Sequence, residues 1–256
     1  MIEVEGLTVR FAGVTPIDDV TVVFPGGTCG LIGPNGAGKT TFFNVLSGFV
    51  KPATGSIRAY GDDLLKMVDY RRARWGLRRT FQTEMAIEQL SVFDNVAMIH
   101  EHSGAGRASR KADVASAIDY VGLEVPPAVK VGGLGARDRR LVEIARAVVG
   151  APKVVLLDEP AAGLPDEETE HLSRVIKVIP EKFGALVILV DHDMSLVQAC
   201  CTTTAVLDFG KLIATGATAD VLRDENVMRA YLGTEDVEVA EDVEVTGDGE
   251  TSEAVP

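Results

Sequence analysis

Gly33-Pro34-Asn35-Gly36-Ala37-Gly38-Lys39-Thr40 fits the spacing G-x-x-x-x-G-K-[ST], residue types suited to holding a polyphosphate. Glycines permit backbone angles that turn consecutive N–H groups inward onto oxyanions. In that arrangement Lys39 reaches the β- and γ-phosphates and Thr40 offers a hydroxyl to Mg²⁺. Two further clusters carry chemistry. Asp158-Glu159 follows four apolar residues, Val154 to Leu157. Asp158 suits a water-mediated hold on Mg²⁺, and Glu159 suits polarising a water for attack on a γ-phosphate. Asp191-His192-Asp193 ends a second apolar run, and His192 is placed to contact the γ-phosphate and position that water.

Such groups need elements to aim them. Thr28 to Ile32 reads as a short buried strand and Thr41 to Leu46 as a helix closing at Ser47-Gly48, the context a phosphate loop requires. Val154 to Leu157 and Ala185 to Val190 read as buried strands delivering polar groups at their C-terminal ends, where open α/β sheets hold ligands. Before the loop, Ile2 to Arg10 and Ile17 to Phe24 read as strands; after it, Ser56 to Tyr60 is a strand and Gly61-Asp62-Asp63 leads into a weak helix through Arg71. Periodicity is helical from Ile87 to about Val149, broken at Ser103-Gly104-Ala105-Gly106 and at Pro126-Pro127. Glu167 to Ile179 and Met194 to Cys201 are helices, and Thr204 to Asp208 with Lys211 to Thr215 forms a closing hairpin. The pattern is an α/β core interrupted by a mostly helical insert.

Composition excludes several classes. Hydrophobic residues at 46% and charged residues at 25% describe an ordinary globule. The net charge of −13 is uneven: from Thr234 onward there are nine acids and no base, leaving −4 elsewhere. That tail has neither helical periodicity nor aromatic residues and is expected to be disordered. Three cysteines do not form a disulfide framework and suit a reducing compartment. Met1 to Glu5 does not open a signal peptide, and no run reaches the roughly 18–20 apolar residues of a membrane span. Arg71, Arg72, Arg74, Arg78 and Arg79 form a basic cluster without interleaved aromatics. It reads as a solvated face or a dock for a membrane partner, not as a nucleic-acid platform. His100, His102 and His171 lack companions at metal-ligand spacing.

Taken in order, these residues resemble the ATP-binding subunit of an ABC transporter, nearest to the branched-chain amino-acid uptake type, over about residues 1 to 233. The resemblance implies a P-loop NTPase core with an antiparallel β subdomain and a helical subdomain: residues 1–84 and 151–233 forming the nucleotide-binding core, 85–150 the helical subdomain, and 234–256 the acidic tail. It implies ATP and Mg²⁺ as cofactors. Phe11 falls at the position that stacks on adenine, Gly33 through Thr41 at the phosphate loop, and Gln82, in Arg79-Thr80-Phe81-Gln82, at the glutamine that senses Mg²⁺. Asp158 matches the metal-binding acid, Glu159 the catalytic glutamate and His192 the switch histidine. Ala161-Ala162-Gly163-Leu164 matches the loop between subunits, and Val206 to Lys211 with Tyr231-Leu232-Gly233 the C-terminal end of this subtype.

One stretch departs. The signature Leu-Ser-x-Gly-Gln falls on Leu134-Gly135-Ala136-Arg137-Asp138, without the hydroxyl, the second glycine or the glutamine. In the family this segment completes the site of the opposite subunit. The expectation is therefore a chain that binds ATP and works best beside a partner with an intact signature. Implied partners are transmembrane permease subunits, a second ATP-binding subunit and, for an importer, a separate substrate-binding protein; nucleic acid is not among them. The expected location is the cytoplasmic face of the cell membrane. The alternative reading is a non-transport ATP switch or scaffold. Chromosome-type relatives carry a long coiled coil and translation-type ones two cassettes, and this chain has neither.

Overall fold

The computed structural model describes residues 1–231; the acidic tail and Leu232-Gly233 lie outside the described residues. In chain order the elements are β1 (Ile2–Phe11), β2 (Val14–Phe24), β3 (Thr28–Ile32), α1 (Lys39–Ser47), β4 (Thr54–Ala59), β5 (Asp62–Asp63), α2 (Asp69–Trp75), β6 (Leu77–Arg79), α3 (Val92–His102), α4 (Arg110–Tyr120), α5 (Ala136–Val148), β7 (Val154–Asp158), α6 (Asp166–Phe183), β8 (Leu186–Val190), α7 (Met194–Cys200), β9 (Thr203–Asp208), β10 (Lys211–Ala217) and α8 (Thr218–Val221). They form a six-stranded sheet, β10-β9-β3-β8-β7-β6, and a four-stranded sheet, β2-β1-β4-β5.

β3, β7 and β8 are buried at every position, which is why they read as unbroken apolar runs: a parallel strand covered on both faces has no solvent side. Side chains still alternate across the sheet, and here they feed two cores. Leu31, Val154, Leu156, Leu186 and Ile188 pack with α1 and the four-stranded sheet. Ile32, Val155, Leu157, Val187 and Leu189 pack with the helices of the insert and α6. Parallel pairing of β7 with β8, and of β3 with β8 and β9, brings the C-terminal ends of these strands to one edge. α1 lies in the first core, with Phe42 fully buried edge-on to Phe24 at 6.0 Å.

Three details differ from the sequence reading. β2 begins at Val14 rather than Ile17 and tolerates Pro16 because it is an edge strand. The weak helix through Arg71 is divided. β5 pairs with β4, Asp63 Oδ1 then accepts from Leu65 N at 3.0 Å to begin a 3-10 turn, and α2 starts only after the extended Val68. The third is β6, which carries two arginines in three residues and pairs in parallel with β7; nothing in its composition suggests a strand. The basic cluster is a solvated face only in part: Arg71 and Arg74 are exposed, and the other three arginines are not. Arg72 and Arg78 are buried, and the Arg79 side chain is 5% exposed. Arg72 donates to the Val45, Leu46 and Met67 carbonyls at 2.5, 2.7 and 2.9 Å, closing the C-terminal end of α1.

Candidate active site

The phosphate loop is shaped by its neighbours as much as by its own glycines. Gly33 has φ +150°, and a Cβ there would stand 2.0 Å from the Leu207 carbonyl of β9. Gly38 has φ +105°, and its Cβ would stand 2.3 Å from the Pro16 carbonyl of β2. Any side chain at either position would push the loop away from the strands that support it. Ala37 N donates to Pro34 O at 3.2 Å, while Asn35 and Gly36 are exposed. α1 opens without a side-chain cap, so its leading amides suit an anion.

Lys39 is 6% exposed and folds back onto the loop, donating from Nζ to Gly33 O at 2.6 Å and Pro34 O at 2.8 Å. Burial lowers its pKa; Glu159 and Asp158 oppose that shift by their charge. Thr40 is exposed and Thr41 half-buried in the first turn of α1. Phe11 is 48% exposed where β1 meets β2, opposite Val14.

At the end of β7, Asp158 is buried, its amide donating to Thr80 Oγ1 at 3.1 Å and its Oδ2 accepting from Arg79 Nη2 at 2.8 Å. Glu159 leaves the strand with φ +48°, its amide bonded to Val190 O of β8 at 2.8 Å. This left-handed turn is costly for a residue with a side chain. Gln82 Nε2 donates to Glu159 Oε2 at 2.8 Å, and His192 Nε2 lies 2.9 Å from Glu159 Oε1. Asp191, its pKa raised chiefly by burial, accepts from the amides of Ala161 and Asp193. It thereby ties the stretch after Glu159 to the stretch holding His192. Asp193 in turn caps α7 through Ser195 N at 2.8 Å.

Lys39, Asp158, Glu159, Gln82 and His192 are thus brought together, and Gln82 sits on Glu159 rather than on Asp158. The oxygen donors at Thr40, Gln82 and Asp158 are those a hard cation such as Mg²⁺ takes, and the two glycine cradles fit a polyphosphate. Among the described residues no cluster of three or more His, Cys, Asp or Glu could hold a metal. Sequence reasoning missed Arg79 as part of the site; its only signal was its place three residues before Gln82. The departing segment sits elsewhere. Gly135 caps α5 without a side chain, its Cβ direction is open space, and Arg137 pairs with its neighbour Asp138 at 3.6 Å.

A groove of about 470 Å³ opens beside Arg79, walled by Phe49, Tyr70, Phe81, Met98 and Ile99. No described helix is long and apolar enough to cross a membrane.

The family model for ABC transporters matches residues 18–162, and that for branched-chain amino acid ATP-binding cassette transporters matches residues 211–237. The chain is 33% identical over 249 residues to the high-affinity branched-chain amino acid transport ATP-binding protein LivG of Escherichia coli (strain K12), covering 91% of this chain and 98% of that protein. Its fold superposes on a crystal structure of the ADP conformation of an ATP-binding cassette of an ABC transporter. The TM-score is 0.80 at 24% identity, over 91% of this chain and 98% of that one. A dimeric post-hydrolysis state of another ATP-binding cassette, bound to ADP and Pi, aligns with a TM-score of 0.75 at 20% identity, over 85% and 99% of the two chains.

Proposed function

The chain belongs to the ABC transporter ATP-binding family, and from that premise we propose that it is the ATPase subunit of an importer of branched-chain or other hydrophobic amino acids. The observation that carries the reading is the meeting of Lys39, Glu159, Gln82 and His192 at the edge of one sheet.

A triphosphate entering the loop takes over Lys39, whose ammonium leaves the Gly33 and Pro34 carbonyls for the β- and γ-phosphate oxygens. Phe11 offers its exposed ring to the base. Thr40, Asp158 and Gln82 would hold Mg²⁺, which would supply charge neutralisation at the phosphates. As Gln82 and His192 turn away from Glu159, the freed carboxylate takes up a water. Glu159 accepts its proton as the water oxygen bonds to phosphorus and the bond to ADP breaks, giving ADP and phosphate. Thr41 and the backbone N–H groups of residues 33–41 other than Pro34 complete the cradle.

The nucleotide is sandwiched between two such subunits, the second a separate polypeptide with an intact signature. Residues 1–84 and 151–233 act as the core and 85–150 as the helical lever. Permease subunits on the membrane's cytoplasmic face dock in the groove beside Arg79, and a separate binding protein delivers the solute. The Arg137–Asp138 pair at the start of α5 favours a second reading, an ATP switch with weak turnover. Solubilising the subunit from native membranes and identifying its companions separates the two. A permease and a second cassette support transport; a chain that never associates with a membrane protein sinks it.

A further inference from the structure

Asp158 and Arg79 form the most secluded ion pair among the described residues, their side chains 6% and 5% exposed. A pair this dry gains little net stability over an apolar replacement, whereas losing one partner is costly. Its placement is the informative feature. Arg79 reaches Asp158 at the end of β7 with Nη2, at 2.8 Å. With Nη1 it reaches Asn44 Oδ1 at 2.7 Å and Ser47 Oγ at 3.3 Å, both on α1. α1 is the helix whose first turn bears Lys39 and Thr40. One guanidinium therefore joins the two elements that must hold a metal between them.

The plane of that guanidinium is also fixed. It lies over the Phe43 ring at 5.5 Å and the Phe81 ring at 4.8 Å, and Phe81 stacks on Phe49 at 6.2 Å on the groove wall. Nε is buried without a hydrogen bond, so the group is held for its two Nη arms. A lysine keeps the charge but cannot make the fork.

We propose that Arg79 is a positioning residue for Mg²⁺ uptake, setting the orientation of the Asp158 carboxylate relative to α1. The inference rests on the reading of Asp158 as the metal-binding acid. Arg79 touches no reacting atom; it acts through the carboxylate it holds, as hydrogen-bonded partners of metal-binding carboxylates do.

The test measures binding of a fluorescent ATP analogue to the full chain, with Mg²⁺ and in EDTA, for the wild type and Arg79→Lys. Affinity in EDTA stays within about twofold, because the loop and Lys39 are untouched. The gain in affinity on adding Mg²⁺ falls ~10–100-fold, the usual cost of disturbing such a partner. An unchanged or larger Mg²⁺ gain overturns the proposal, and so does an equal loss with and without Mg²⁺, the mark of a merely structural role. Should Arg79→Lys not fold, Asn44→Ala keeps the ion pair but leaves the Nη1 arm only its longer bond to Ser47 Oγ. A reduced Mg²⁺ gain in that variant supports the proposal, and an undiminished gain overturns it. Wild-type protein that binds no nucleotide in either condition sinks the ATPase reading itself, and this inference with it.

Discussion

Gln82 and Glu159, 77 residues apart, share a hydrogen bond of 2.8 Å, and His192 takes the other oxygen of the same carboxylate at 2.9 Å. Both oxygens that would handle a water are therefore engaged by the two side chains that a nucleotide would draw off. Glu159→Gln keeps the shape and one acceptor oxygen but loses the second acceptor and the base. Phosphate release falls ~10²–10⁴-fold, the range for loss of a general base, while ATP affinity is retained and nucleotide-bound pairs accumulate in sedimentation. Wild-type turnover in this variant would falsify the role.

His192→Ala removes a half-exposed side chain whose described contact is to Glu159, so the fold is spared. Turnover is expected to drop by about 10²-fold, the size of a lost transition-state donor, with ATP affinity changed only a few fold. Single-turnover kinetics beside equilibrium binding separate the two. A loss in affinity equal to the loss in rate means the histidine serves binding alone.

Gly135→Ser meets open space and supplies both an N-cap and the missing hydroxyl. Combined with Arg137→Gly, it is expected to raise homomeric ATPase activity at least tenfold, since each such donor is worth ~10²–10³ in rate. The serine alone adds a few tenths of a kcal/mol to stability. Brisk, Glu159-dependent hydrolysis by the unaltered homodimer would remove the need for a second polypeptide.

Lys39 sets a pH dependence. Burial holds its pKa below the ordinary 10.5, and a bound triphosphate raises it again. As pH climbs through the free-state value, the free protein loses the proton and the complex keeps it, so binding takes up a proton and affinity declines. Calorimetry in two buffers of different ionisation heat reads this uptake, and Lys39→Met abolishes it. The effect on folding has the opposite sign. Between the depressed folded value and the unfolded one the unfolded chain binds more protons, so this group makes stability rise with pH.

Arg72→Ala strips three carbonyls of a charged donor in the core. Hydrogen bonds to charged groups make the expected loss about 2–3 kcal/mol, read from urea midpoints at unchanged slope. A shift under about 0.5 kcal/mol would mean that water takes over the cap.

The sequence by itself determined the phosphate loop, the strands that carry Asp158 and His192, and the helical insert. Those features rest on short-range rules: glycine spacing, apolar runs of strand length and helical periodicity within a few turns. The closing hairpin, β9 with β10, was legible for the same reason. Only the tertiary structure decided which charges are buried. Arg72 and Arg79 belong to one basic run in the chain, yet one closes the end of α1 and the other grips a carboxylate 79 residues away. Whether a guanidinium faces water or a carboxylate depends on which remote strand lies beside it. β6 escaped notice on the same ground: its place in the sheet comes from pairing with β7 and not from its own residues.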